Sequence, residues 1–185
     1  MRIISGEARG RTLFAPAGDQ TRPTSDKIRG SLFNILSGRV TDAVVLDLFG
    51  GTGALALEAL SRGAARAVIA DNSHRAIEVI MRNAQNVLKD ELNTRACIVK
   101  NDYRNAIASS EGCFDIVFLD PPYRMTQAYG DAIARLRDAN RLQADAVIVC
   151  ERRRDATIQV PDGFEIYDTR HYGETDIDFV RRIEE

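Results

Sequence analysis

The stretch AVVLDLFGGTGALALEALSRG, residues 43–63, decides the fold. Six apolar residues surround one carboxylate, Asp47, in a run too short for a helix, and a glycine-rich turn follows at once. An Ala- and Leu-rich segment with helical character then runs to Gly63, which reads as its stop. Strand, glycine turn and helix together open a βαβ unit. The alternation continues downstream. ARAVIAD reads as strand and SHRAIEVIMRNAQNVL as helix, with Ile77, Ile80, Met81, Ala84 and Leu88 on one face. ACIVK precedes the short helix YRNAIAS, FDIVFL precedes a helix reaching about Asn140, and DAVIVCE is a further strand. Continuous apolar strands alternating with helices predict a parallel sheet covered on both faces. ATIQV, FEIYDTRHY and TDIDFVRRI read as closing strands; no helix fits between the last two, so an antiparallel element is expected at one edge.

Upstream of this core, RIIS and RTLFA flank the glycine-punctuated GEARG, predicting a β-hairpin over residues 2–15. After a loop, Thr24 or Ser25 can cap a helix running to about Leu36. Residues 1–40 are thus expected to form a hairpin-and-helix extension of the main domain, residues 41–185. A chain of 185 residues is long enough for one domain with a substantial core. It holds no apolar run near 18 residues, and its N-terminus lacks the apolar centre of a signal peptide, so a cytoplasmic location is expected. Cys97, Cys113 and Cys150 are widely spaced, with no CxxC or histidine-rich neighbour, so neither a disulfide framework nor a zinc site is suggested.

The glycine turn carries the first chemistry. Ligands of open parallel sheets bind at the carboxyl ends of the strands. Gly50, Gly51 and Gly53 let a backbone approach a ligand closely, and the helix that follows offers unpaired N–H groups. Gly51-x-Gly53-x-x-Ala56 also fits a dinucleotide fingerprint, with Asp71 twenty residues past Gly51 and able to grip a ribose. Two further acids turn the reading away from a nicotinamide. Asp47 suits an ammonium or sulfonium better than a pyrophosphate, and Asp102, after the third strand, can accept from an adenine amino group or cap the helix that follows. Acids at three successive strand ends match S-adenosylmethionine.

FDIVFLDPPY, residues 114–123, supplies the second. The strand ends on Asp120, Pro121, Pro122 and Tyr123. Prolines fix φ and donate no N–H, which leaves nearby carbonyls to accept from something else. A carboxylate and a backbone carbonyl accepting both hydrogens of an exocyclic amine can draw its nitrogen toward sp³ geometry, and Tyr123 can stack on the base. Stacking helps offset the cost of taking a base out of its helix, a few kcal/mol.

The chain resembles the RsmD-like family of small-subunit ribosomal RNA guanine-N2 methyltransferases. The likeness rests on RIISGEARGRTL (2–13), TRPTSDKIRGSLFNIL (21–36), LDLFGGTGALALEALSRGA (46–64), FDIVFLDPPY (114–123) and HYGET (171–175), and it extends over nearly the whole chain. It implies a Rossmann-like class I methyltransferase: a seven-stranded, mostly parallel sheet with an antiparallel edge strand, plus the N-terminal hairpin. It implies S-adenosylmethionine as cofactor, with roles for Asp47, Gly50, Gly51, Gly53, Asp71 and Asp102, and for Phe49, Asn72, Tyr103 and Thr24 beside them. It implies a catalytic pocket at Asp120–Tyr123, with Arg22-Pro23-Thr24 folding nearby. It implies as substrate one guanine in the helix-31 loop of 16S rRNA, within a partly assembled small subunit. No metal or membrane is expected, and a monomer is. The turn reads FGGTG where FAGSG is common in the family, and Asn72-Ser73 stands where the family often has an acid two positions past the ribose aspartate.

Charge placement agrees with an RNA partner. Residues 1–40 carry seven basic against three acidic side chains, while the remainder carries 18 against 24. Arg2, Arg9, Arg11, Arg22, Lys27 and Arg29 are therefore expected to meet phosphates, which position RNA without reading sequence; Arg22 and Arg29 could instead brace the cofactor pocket. Arg75, Arg82 and Arg152-Arg153-Arg154 read as a solvated face. His74 and His171 have no evident carboxylate partner by spacing and read as structural. The competing readings are an adenine-N6 methyltransferase, disfavoured by the lack of a target-recognition domain, and a non-catalytic assembly factor with the same fold.

Overall fold

A computed structural model describes residues 1–16 and 25–184. In chain order the elements are α1 (Asp26–Ile35), α2 (Ser37–Val40), β1 (Val44–Asp47), α3 (Ala54–Ser61), β2 (Arg66–Asp71), α4 (His74–Leu88), α5 (Leu92–Arg95), β3 (Ala96–Lys100), α6 (Tyr103–Ser109), β4 (Phe114–Leu119), α7 (Gln127–Asp138), β5 (Leu142–Arg153), β6 (Phe164–Tyr172) and β7 (Thr175–Arg182). One seven-stranded sheet has the order β3-β2-β1-β4-β5-β7-β6. The first five of these are parallel, as their apolar runs predict. β7 runs antiparallel to both β5 and β6, so the antiparallel element lies at one edge with the reversed strand one place in. ATIQV (156–160), expected as a strand, is irregular. It lies between two long strands that pair through β7; Ile158 is buried in the core and Val160 packs against it.

The sheet separates two apolar layers. Val45, Ile69, Ile116, Phe118, Val147 and Val149 face α1, α3 and α4. Leu46, Val117, Leu119, Ile148 and Cys150 face α6 and α7. This strict alternation fixes which way each strand-end residue points. Strand order reverses between β1 and β4: the chain moves outward through β2 and β3, then returns to the other side of β1. That reversal opens the crevice in which open α/β sheets bind ligands.

The N-terminal hairpin is compressed. One antiparallel bridge, Arg2 to Thr12, is flanked by backbone bonds from Ile3 to Arg11, Gly10 to Ile3 and Leu13 to Met1, in place of two full strands. Its turn is seated on the C-terminal end of α3. Gly6 has φ +89°, and a Cβ there would fall 1.8 Å from the Ser61 carbonyl oxygen, so only glycine fits. Ile3, Ala8 and Leu13 join Leu32, Phe33 and Leu36 in the same core as β1 and α3.

A buried carboxylate makes that attachment. Glu58 lies wholly inside the apolar helix α3. It accepts from the backbone N–H groups of Ile4 (2.9 Å) and Ser5 (3.0 Å) and from Arg62 Nε (2.7 Å), and Arg29 Nε lies 3.6 Å away. Arg29 is itself fully buried, donating to Asp26 (2.9 Å) and to the Arg2 carbonyl. The expectation that Arg29 meets RNA is therefore corrected: no solvent or phosphate reaches it, and it clamps α1 to the hairpin.

Candidate active site

Registers across the sheet bring the predicted acids together. Asp47 is level with Ile69 on β2 and Phe118 on β4. Two residues further along those strands stand Asp71 and Asp120. Asp71 is level with Lys100 on β3, two residues before Asp102. All four acids thus crown the carboxyl ends of neighbouring strands, with Asp47 deepest and the β1–β4 reversal between Asp47 and Asp120.

Asp47 is only 2% exposed. Phe49 donates its N–H to Oδ1 (3.2 Å), and no cation among the described residues pairs with the carboxyl. Burial pushes its pKa up to about 7, the Phe49 bond pulls it back in part, and the charge of Asp71 adds to the rise. Asp120 is held well above the usual carboxylate range by burial, then by the charges of Glu151 and Asp47. Two acids held high beside one crevice, Asp47 buried and Asp120 half-buried, mark a place suited to receive positive charge or hydrogen-bond donors.

The glycine turn closes the floor. Gly50 donates to the Ala70 carbonyl (2.8 Å), tying the turn to β2. Gly51 has φ +58° with open space where a Cβ would stand, and its N–H donates to Asp71 Oδ2 (3.0 Å). Ser73 N–H donates to Asp71 Oδ1 (2.9 Å), while the Ser73 hydroxyl caps α4. Asp71 is thereby aimed by two backbone donors and still has about two lone pairs for the hydroxyls of a ribose. Asn72 is exposed beside it. Asp102 acts as the cap of α6: Oδ1 accepts from Asn105 N (2.9 Å) and Oδ2 from Asn105 Nδ2 (3.1 Å). The helix-cap reading weighed from sequence is the one seen, and the exposed carboxylate retains capacity for a further donor.

Tyr103 is buried next to that cap and holds its corner. Its hydroxyl donates to Asp131 on α7 (2.6 Å), and its ring packs on Phe49 at 5.5 Å between centroids. At the far side, Pro121 is buried while Pro122 and Tyr123 are exposed, the Tyr123 ring by 56%. Arg153 brings its guanidinium to 5.6 Å from that ring. An exposed ring beside a half-buried carboxyl is the geometry of a stacking platform next to an amine acceptor. Among the described residues, no N–H donates to the carbonyl of Asp120 or Pro121.

The predicted RNA contacts divide. Arg2, Arg9 and Lys27 are exposed, and their side chains make no hydrogen bond or ion pair among the described residues. Arg11 is partly covered and donates to the Asn86 carbonyl on α4. Arg22 and Thr24 lie outside the described residues. The hairpin turn sits at the far end of α3 from the glycine turn, about 12 Å for eight residues.

Other charged side chains depart from the sequence reading. Arg152, read as solvated, is largely covered and pairs with Asp178 (2.5 Å) and Asp176 (3.3 Å). His171 Nδ1 lies 2.7 Å from Asp176, its register partner across the β6–β7 hairpin, and His74 lies 3.3 Å from Glu78. Glu151 was passed over from sequence. Its signal was its place one residue beyond an apolar β5 run, as Asp120 stands one beyond β4.

The residues present fit S-adenosylmethionine: a buried unpaired acid for a cation, a glycine turn with open space above it, and an aimed ribose acid. Comparison with known proteins agrees. The family model described as conserved hypothetical protein 95 matches residues 1–181. Bacillus subtilis YlbH is 36% identical over 165 residues, 88% of this chain and 86% of that protein. Ribosomal RNA small subunit methyltransferase D of Escherichia coli K12 is 36% identical over 151 residues, 82% of this chain and 74% of that protein. The solved structure of Escherichia coli yhhF superposes with a TM-score of 0.84 at 31% identity, covering 98% of this chain and 97% of that one. A match across almost the whole chain, with a superposable fold, places this protein in the RsmD family of class I methyltransferases.

Proposed function

We propose that the protein transfers a methyl group from S-adenosylmethionine to the exocyclic N2 of a guanine in 16S rRNA, within an assembling small ribosomal subunit. One observation carries the reading: the half-buried carboxyl of Asp120, across the β1–β4 crevice from Asp47, stands next to Pro121, Pro122 and the exposed Tyr123. The family match and the small-subunit rRNA methyltransferase named among its relatives support the substrate class.

Asp47 would face the ammonium and sulfonium end of the cofactor, and Asp71 its ribose. Phe49, Asn72, Asp102 and Tyr103 would bound its adenine end. Bound there, S-adenosylmethionine supplies an electrophilic methyl group. The chain supplies position. Tyr123 stacks on the flipped base, and the Asp120 carboxylate and Pro121 carbonyl accept the two N–H bonds of its amine. Conjugation with the ring makes that nitrogen a poor nucleophile, and both acceptors would draw it toward sp³ geometry, so that its lone pair leaves conjugation and points toward the methyl group. Holding the reactants in line lowers the barrier mainly by paying their ordering entropy on binding. Asp120, with its raised pKa, is suited to take up the proton that the methylated nitrogen releases. Arg2, Arg9 and Lys27 hold RNA phosphates.

The test is tritium transfer from labelled S-adenosylmethionine to small subunits that lack their own guanine-N2 methylation, followed by nucleoside analysis. Label in N2-methylguanosine is expected. Label in N6-methyladenosine would keep the pocket and overturn the substrate.

A further inference from the structure

Helix α4 holds the N-terminal hairpin beside the glycine turn. Asn83, inside that helix, is only 1% exposed. Its Oδ1 accepts from Phe14 N–H (2.7 Å), and its Nδ2 donates to the Phe14 carbonyl (3.0 Å) and to the Thr52 carbonyl (2.9 Å). Phe14 lies on the hairpin's outgoing arm, and Thr52 stands between Gly51 and Gly53 in the turn. The partners dictate how the amide is oriented, because an N–H only donates and both carbonyls only accept. Both amide hydrogens are thus engaged. One helical turn on, Asn86 Nδ2 donates to the Thr12 carbonyl (2.9 Å), so α4 grips two alternate residues of the outgoing arm. Arg82 lays its guanidinium over the Phe14 ring at 4.0 Å. The glycine turn leans on the same helix: a Cβ on Gly50 would fall 2.9 Å from Ile80 Cδ1, three residues before Asn83. Among the described residues, the Asn83 side chain bonds both the hairpin and the turn, whereas that of Asn86 bonds the hairpin alone.

We propose that Asn83 is a positioning residue that couples the hairpin to the glycine turn, so that RNA held by the hairpin and S-adenosylmethionine held at the turn each strengthen binding of the other. This rests on the function proposed above and adds a link between the sites of its two substrates. The argument is one of shared bonds. A planar amide fixes its donors and its acceptor in one frame. A shift of Thr52 or of Phe14 therefore breaks a bond at a buried group, and a buried polar group left unpaired is costly. Ordering the turn around a cofactor thus also orders Phe14, and ordering the hairpin on RNA also orders Thr52. Whichever ligand binds second finds part of the ordering cost already met, which produces positive coupling without a change of shape. Such coupling is reciprocal between the two binding sites.

The probe is sinefungin, an unreactive amine analogue of the cofactor. Its Kd is measured by calorimetry on the free protein and on the protein saturated with small subunits that lack guanine-N2 methylation. The wild-type protein is expected to bind it about fivefold or more tightly on the subunit. Asn83→Ala is expected to shrink that ratio below about twofold. Asn86→Ala, which loosens the hairpin without touching the turn, is expected to weaken subunit binding and keep the wild-type ratio. Hydrogen exchange supplies a readout without RNA. Sinefungin should slow exchange of the Gly10 and Leu13 N–H groups, which close the hairpin on Ile3 and Met1, by about threefold in wild type and Asn86→Ala but not in Asn83→Ala. A wild-type ratio near one would overturn the proposal and needs no variant to fold. An undiminished ratio in Asn83→Ala, an equal loss in Asn86→Ala, or equal slowing in all three proteins would overturn it as well, since an asparagine that only stabilises the fold would give one of these. Failure of the subunits to bind would instead remove the RNA reading, and hairpin protection that depends on Asn83 would still mark the link to the turn.

Discussion

Asp47→Asn separates what Asp47 does for the fold from what it does for the cofactor. The Asp47 carboxyl has an ordinary pKa of 3.8 and rises to about 7 in the folded protein, burial being the largest cause. A raised carboxylate pKa works against the folded state. Between pH 3.8 and 7 the unfolded chain has released this proton and the folded chain still holds it, so stability falls as pH rises and levels off above about 7. The full penalty is on the order of 4 kcal/mol above pH 7 and about 2 kcal/mol at pH 5.5, at 1.36 kcal/mol per pKa unit. Asparagine keeps the acceptor for the Phe49 N–H and removes the charge. Urea unfolding of the cofactor-free protein should therefore show Asp47→Asn more stable than wild type at pH 8, with an advantage about 2 kcal/mol smaller at pH 5.5. The same variant should lose cofactor affinity by a hundredfold or so, because an amide does not answer a cation. Wild-type affinity should fall about tenfold from pH 8 to pH 6 as Asp47 takes up its proton. A stability difference that does not change between pH 5.5 and 8 would refute the reasoning, since it would mean that Asp47 does not titrate there.

Asp120→Ala should abolish methyl transfer while leaving cofactor affinity within several-fold; full activity would sink the pocket. Glu58→Ala should cost about 3–5 kcal/mol in urea unfolding, because it breaks the largely buried pair with Arg62 and leaves the Ile4 and Ser5 N–H groups without their acceptor, and an effect near zero would show that this carboxylate is not what anchors the hairpin. Arg9→Ala and Lys27→Ala should each weaken binding to small subunits and lower the salt slope of log K by about one, with methyl transfer at saturating substrate retained. Gly6→Ala should destabilise by more than an ordinary glycine substitution, read by thermal unfolding, because its Cβ would meet the Ser61 carbonyl of α3 rather than a movable side chain.

Most of the sheet was legible because its strands are apolar on both faces and its helices amphipathic, so the period changes at each boundary. The two strand-end signals, Asp47 with its glycines and Asp120 with its prolines, survive in sequence because chemistry there overrides packing preference. What was missed depends on pairings across distance. ATIQV has the composition of a strand but finds no neighbour to pair with, since β7 already occupies the place beside β5. Glu58 looks like an interruption in an apolar helix, and only the hairpin's return onto α3 reveals its two backbone donors. Arg29 carries the same charge as Arg9, and burial alone separates the clamp from the proposed phosphate contact. Asp176 and Asp178 alternate with apolar residues as a solvated strand face would, yet Arg152 lies opposite them and covers both.

The position of the hairpin constrains how RNA can lie. Its exposed Arg9 is held at the C-terminal end of α3, while the pocket opens at the other end of the strands, about 12 Å higher along that helix. If Arg9 holds a phosphate as proposed, that phosphate and the flipped base are not expected on adjacent nucleotides. Glu58 ties that spacing to the core, since the carboxylate that fixes the hairpin sits in the helix that begins at the glycine turn. Loosening Glu58 should thus weaken methyl transfer through RNA placement before it touches cofactor affinity, whereas loosening Asp47 should do the reverse. Opposite ordering of the two effects would place the hairpin in the cofactor site instead of along the RNA path.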